Sequence, residues 1–331
     1  MKQLLKIAGR HGPMIVISGV VIGLAMPSLA ELARPYLAIA IFVFTFGSFL
    51  KIDARSFTAE VAHVKRNTLM ILWANFGIPL IVLAVVGIAR PGPELTQGLL
   101  FWSLVPVSPA CVAFASILGL NPTIALLGTI AGTVAAPFFI PLGASLLANY
   151  HVDIDPAATC MHLVLLLGGA ALAAALAKRL AGDFMRDNPE AITGVSVLAM
   201  FLAGMGSMRG MQAHLLAQPS TGIEFVLLAY ALLFGAELIG TFLFWRCGRA
   251  AALTAGLISG TRTITLAWVV LGNHVLPNAD LILAASMVAK YTAPGLTKWL
   301  LARLISPRAT PRRFATPARM GRPLPADAVN S

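Results

Sequence analysis

Residues 250–272 read AAALTAGLISGTRTITLAWVVLG, a run long and apolar enough to cross a bilayer, yet Arg262 falls at its middle. A charge at bilayer depth costs at least about 2.5 to 3.5 kcal/mol, so it ordinarily faces a partner, a cavity or a transport path. Arg262 lies within Ser259-Gly260-Thr261-Arg262-Thr263, where glycine and β-branched residues weaken a helix. A buried charge in a weak helix predicts a binding site in a broken membrane helix.

The rest of the chain has matching character. Of 331 residues, 58% are hydrophobic and 11% charged, too apolar for a soluble protein and diagnostic of the membrane class. A net charge of +11 could suit nucleic acid. The basic residues, however, stand at the ends of apolar runs and in the tail, where they orient a membrane protein. Membrane lipid is therefore the expected partner, and nucleic acid is not. Cys111, Cys160 and Cys247 show no paired spacing, which argues against a disulfide framework or a CxxC metal site. Lys2, Lys6 and Arg10 precede an apolar run ending Pro27-Ser28-Leu29-Ala30, which imitates a secretory signal. Cleavage there would still leave a polytopic protein, so an uncleaved first span is expected.

Ten spans are expected, at roughly 13–30, 35–50, 68–89, 95–119, 122–147, 158–177, 191–208, 221–245, 250–272 and 279–304. With both termini cytoplasmic, nineteen basic residues lie inside and only Arg34, Arg90 and Arg209 outside. That split follows the positive-inside rule for a multi-pass cell (inner) membrane protein. Ten spans make two fives, and an odd number per half places the halves in opposite orientations. The fourth member of each half is interrupted, at Pro106-Val107-Ser108-Pro109 and at residues 259–263. The fifth members carry Ala136-Pro137 and Ala293-Pro294. The fold expected is thus all-α, with ten transmembrane helices in two inverted five-helix repeats and discontinuous helices 4 and 9 crossing near the midplane. Residues 1–306 form the transporter domain. Residues 307–331, rich in Pro, Arg and Ala, are expected to form a disordered basic cytoplasmic tail.

Three segments carry a family resemblance. They are residues 42–57 (FVFTFGSFLKIDARSF), residues 106–142 (PVSPACVAFASILGLNPTIALLGTIAGTVAAPFFIPL) and the ninth span. Over residues 1 to about 305 the chain resembles the bile acid:sodium symporter family and its wider bile/arsenite/riboflavin transporter superfamily. The resemblance implies a core of helices 3–5 and 8–10 rocking against a panel of helices 1, 2, 6 and 7. Carried over position by position, the family's Ser-Asn pair falls on Cys111 and Val112. Its helix 5 serine falls on Ala125, while its threonine is retained as Thr129. The crossover glutamate falls on Ile258, the Gln-Asn pair on Arg262 and Thr263, and a polar helix 3 position on Asn75. Sodium prefers oxygen ligands, preferably charged ones. Loss of the glutamate and gain of a guanidinium argue against the family's two sodium sites, so sodium coupling is in doubt and no other cofactor is expected. The resemblance thus implies Arg262 as a fixed positive charge in place of a sodium ion.

The polar residues sort by chemistry. Arg262 presents five donors in a planar fork suited to a carboxylate, sulfonate or phosphate. It either contacts such a substrate or ties helix 9 to Glu237, and the two are compatible. Thr261, Thr263 and Ser108 are the neutral ligands expected beside it. Lys290, near mid-depth of the tenth span, is a second anion contact, a proton carrier, or a tie to Asn75 or Glu237. Glu237 is the partner of Arg262 or a proton-coupling carboxylate. Cys111 is a small buried hydrophobe or, as in arsenite efflux permeases, a metalloid thiol.

A secondary active transporter of a small organic anion is the function expected. The alternatives are a sodium-independent or proton-coupled carrier, or an arsenite-type efflux permease. An intramembrane enzyme would need HExxH, paired intramembrane aspartates or Gly-x-Ser-x-Gly, and none occurs. A channel would need a polar pore stripe or a repeated filter loop, and none is evident.

Overall fold

The computed structural model describes residues 3, 5, 8, 12–50, 63–145 and 155–304. The predicted tail at 307–331 and most of the first basic loop lie outside the described residues. Among the described residues every named element is a helix, and the one β feature is a single-residue bridge. Six helices among the described residues are long and apolar enough to cross a membrane: Pro27–Leu50, Val64–Ala89, Pro122–Ser145, Pro156–Gly182, Pro189–Ala217 and Pro219–Leu243. The other apolar runs are short or interrupted, or carry charge.

The interruptions have local causes. Pro27 lacks an N–H and pushes the preceding residue out of the helical region, so Met26 sits at φ −128° and ψ 82°. Helix α1 (Gly12–Ala25) therefore ends there, and α2 (Pro27–Ala33) leads through the turn at Arg34–Tyr36 into α3 (Leu37–Leu50). This corrects the expected first span of 13–30. Helix α4 (Val64–Leu72) passes through a π turn at Trp73–Gly77 into α5 (Ile78–Ala89). The fourth expected span is two half-helices, α6 (Pro93–Leu104) and α7 (Ala110–Ile117), followed by α8 (Pro122–Ser145). Next come α9 (Pro156–Leu163), α10 (Gly169–Asp187), α11 (Pro189–Gly206), α12 (Met211–Ala217) and α13 (Pro219–Leu243). The ninth span is likewise divided, into α14 (Arg249–Gly260) and α15 (Thr265–Leu271), before α16 (Pro277–Leu304). The second break covers residues 261–264, because Ser259 and Gly260 still belong to α14.

The two broken segments end alike. Helix α7 is followed by Gly119 at φ +68° and α15 by Gly272 at φ +54°. Glycine takes this left-handed geometry without a Cβ penalty, and each turn feeds a helix that opens on proline, Pro122 or Pro277.

The helices pack in two groups. Helix α11 lies against α1, α2 and α3, and α3 against α10. In the other group α13 packs on α14 and α16, α6 on α5 and α16, and α8 on α7 and α14. Between the groups, α8 meets α9, α15 meets α3, and α16 meets α1.

Candidate functional site at the helix crossing

The two breaks meet in the interior. Val107 and Arg262 form an isolated antiparallel bridge, in which the Ser108 N–H donates to the Thr261 carbonyl (3.0 Å) and the Thr263 N–H to the Pro106 carbonyl (2.8 Å). Half-helix ends leave backbone groups without partners, and hydrocarbon offers none, so each break supplies what the other lacks. Side chains reinforce the contact. Thr263 Oγ1 donates to the Val107 carbonyl (3.3 Å), and Ser108 Oγ accepts from the Ala110 N–H as α7 begins (3.3 Å). From α8, the single Thr129 hydroxyl lies within hydrogen-bond reach of the carbonyls of Ala125 (2.9 Å) and Ser108 (3.2 Å). The Cys111 thiol faces the carbonyls of Thr261 (3.6 Å) and Leu257 (3.8 Å).

Arg262 is fully buried. Its guanidinium donates to the Ala74 carbonyl at 2.5 Å and, weakly, to the Val105 carbonyl at 3.5 Å. Both acceptors owe their freedom to proline. In the π turn the Ile78 N–H reaches back five residues to Trp73, so the next donor in the ladder, for Ala74, would be residue 79. Residue 79 is proline. Val105 precedes Pro106, which holds it extended at ψ 145°, so its carbonyl points out of the α6 ladder. The arginine fork donates to both freed carbonyls.

Asn75, in the same π turn, donates from Nδ2 to the Ile71 carbonyl (3.0 Å). Its Oδ1 is buried without a partner, as is Nε of Arg262. The carboxamide lies close against Gly132 of α8. The crossing therefore gathers Ser108, Cys111, Thr129, Thr261, Arg262 and Thr263, with Asn75 beside it, and leaves Arg262 Nε and Asn75 Oδ1 without partners.

Two expectations are corrected. Glu237 forms no ion pair with Arg262. It borders a separate cavity of about 50 Å³ with Thr241 of α13 and Thr297 of α16, and its stem packs against Gly260 of α14, where a Cβ would stand 2.7 Å from Glu237 Cγ. Lys290 ties to neither Asn75 nor Glu237. It is buried on α16 with its ammonium 4.9 Å from the centroid of the Tyr291 ring, a cation–π distance.

A larger cavity, about 360 Å³, separates the two helix groups. Gly12, Val16, Val197 and Met200 line it from one group, Phe114 and Tyr291 from the other. Lys290 stands immediately behind that tyrosine.

Sequence reasoning missed two braces. Gln97 of α6 is fully buried, donating to the His274 carbonyl (2.9 Å) and accepting from the Leu276 N–H (2.8 Å) in the α15–α16 connection. Thr254 of α14 accepts from the Asn121 N–H (3.1 Å) in the α7–α8 connection. Each broken segment thus anchors the loop that follows the other. A glutamine inside an apolar run is a legible signal of such a brace.

No family model matches the chain, and neither does any curated protein.

Proposed function

We propose that the chain is a secondary carrier for a small organic anion, of the bile acid:sodium symporter type, in a cell membrane with both termini cytoplasmic. The observation that carries this reading is the bridge between Val107 and Arg262, which joins two interrupted helices in the protein interior. Transporters place substrate sites at such crossings, where half-helix ends and unwound backbone offer polar groups inside hydrocarbon. The repeated order of half-helix, break, half-helix, left-handed glycine and proline-started helix supports two five-helix halves. Their inverted orientation follows from the odd count per half. The two packing groups support a core of α4–α8 and α13–α16 moving against a panel of α1–α3 and α9–α12.

In this reading the cavity between the groups receives the substrate, and Lys290 and Arg262 supply the positive field for an anion. Arg262 donates to two carbonyls with two of its five N–H groups, and its wholly unpartnered Nε–H and the free Asn75 Oδ1 are the groups best placed for a ligand. A second reading, coupling to protons or another cation, is favoured by Glu237 in its own small cavity beside Thr241 and Thr297. It predicts that Glu237→Gln removes the dependence of uptake on pH or cation.

Counterflow in proteoliposomes tests the carrier reading. Preloading with one of a panel of organic anions accelerates uptake of the same labelled anion, and Ala113→Trp, which puts an indole ring into the cavity that Ala113 of α7 also lines, abolishes the acceleration. A flux that saturates with neither preloading nor substrate would sink it.

A further inference from the structure

At the opposite end of the bundle from the cavity, Arg34 follows α2 and reaches across to the other helix group. Its Nη2 donates to Asp280 Oδ1 at 2.7 Å. The same carboxylate oxygen accepts from Trp268 Nε1, and the Arg34 guanidinium lies 4.6 Å from the centroid of the Trp268 ring. The three side chains make one closed unit, partly shielded from water, with Arg34 14% and Asp280 25% exposed.

Each side of the contact is held rigidly by its own group. Arg34 sits where the chain presses against Gly206 of α11, so closely that a Cβ there would stand 3.1 Å from the Arg34 nitrogen. Asp280 lies in the first turn of α16, where a carboxylate is favoured by the helix dipole. Trp268 is buried on α15, and Gln97 locks the α15–α16 connection onto α6. Thus Arg34 moves with the panel, while Asp280 and Trp268 move with the core.

The ion pair and the cavity occupy different depths of one interface. On α16, Asp280 and the cavity-lining Tyr291 are eleven residues apart, about 16 Å of helix. On α11, Gly206 packs beside Arg34, while Val197 and Met200 line the cavity. One end of the panel–core interface holds an empty space, and the other is closed by a charged clasp.

We propose that the Arg34–Asp280–Trp268 unit is the outer gate of the carrier, a clasp that must open for the crossing to face the non-cytoplasmic side. The inference rests on the carrier reading given above. Breaking the clasp shifts the resting balance toward the outward-open form, because it removes an interaction present in one state only. Arg34, Asp280 and Trp268 are positioning residues, and none needs to touch the substrate.

Cys111 reports the opening, since its thiol is buried at the crossing. With Cys160 and Cys247 replaced by alanine, Cys111 is labelled in spheroplasts by a membrane-impermeant maleimide from outside, and in inverted vesicles from inside. Arg34→Gln and Asp280→Asn each raise the outside rate about tenfold, the shift given by losing roughly one charge-assisted hydrogen bond. The exchanged pair Arg34→Asp with Asp280→Arg restores slow labelling, and this separates a gate from simple loss of folding. An outside rate unchanged in both single variants, with wild-type labelling measurable from both sides, overturns the gate and leaves the carrier reading standing. A rise confined to the inside also overturns it. Labelling from neither side in any of the proteins overturns the gate and the carrier reading together.

Discussion

The guanidinium of Arg262 and the carbonyl of Ala74, 188 residues apart, are joined by a hydrogen bond of 2.5 Å that substitutes for the N–H missing from Pro79. A membrane helix cannot leave a carbonyl facing hydrocarbon, and a proline inside it creates such a carbonyl. Arg262 answers that need while sitting in a break of its own. The charge thus has a structural duty at the point where a ligand would also meet it.

If this is so, the proline and the arginine are energetically coupled. Arg262→Ala lowers stability by about 2 kcal/mol, since it leaves buried acceptors unpaired. In Pro79→Ala the restored N–H serves Ala74, and the same arginine substitution then costs about 1 kcal/mol less. Thermal melts of the four proteins in detergent measure the difference, and equal losses in both backgrounds would refute the coupling.

Glu237 and Arg262 do not pair, so their substitutions should act independently. A double-mutant cycle of Glu237→Gln and Arg262→Ala gives a coupling below about 0.5 kcal/mol in stability, the level found for groups sharing no partner. A coupling above about 2 kcal/mol would mean that the two charges meet.

Gly119 and Gly272 close corresponding half-helices in the left-handed region. Each changed to alanine destabilises the protein by about 1 to 2 kcal/mol, the Cβ cost of that conformation. Helix-interior Gly87, where a Cβ would meet nothing, gains stability on the same change. Denaturation midpoints of the three variants would expose a failure of this ordering.

Gln97 is nearly isosteric with methionine but carries two buried hydrogen bonds. Gln97→Met leaves the His274 carbonyl and the Leu276 N–H unpaired and costs about 1 to 3 kcal/mol. Hydrogen exchange at Leu276 rises, while exchange at the α7–α8 connection, held by Thr254, is unchanged.

Much of the architecture was legible in the residues alone. Apolar runs of membrane length, the two breaks and the prolines that follow them are local properties, because a missing N–H or a missing Cβ acts within a few residues of itself. The boundary at Met26 was legible for the same reason, had Pro27 been read as a helix start. Arg262 was recognisable as exceptional from its cost in hydrocarbon.

Its partners were not. A charge states that it needs compensation without saying where, and Glu237, the nearest expectation in sequence, faces another cavity. Only the folded chain placed Arg262 on the Ala74 and Val105 carbonyls, Lys290 over Tyr291, and Arg34 on Asp280. Composition and pattern by themselves determined a membrane-spanning helical protein with two broken segments. Tertiary structure decided which polar groups meet, because hydrogen bonds and ion pairs between distant residues depend on how helices are brought side by side.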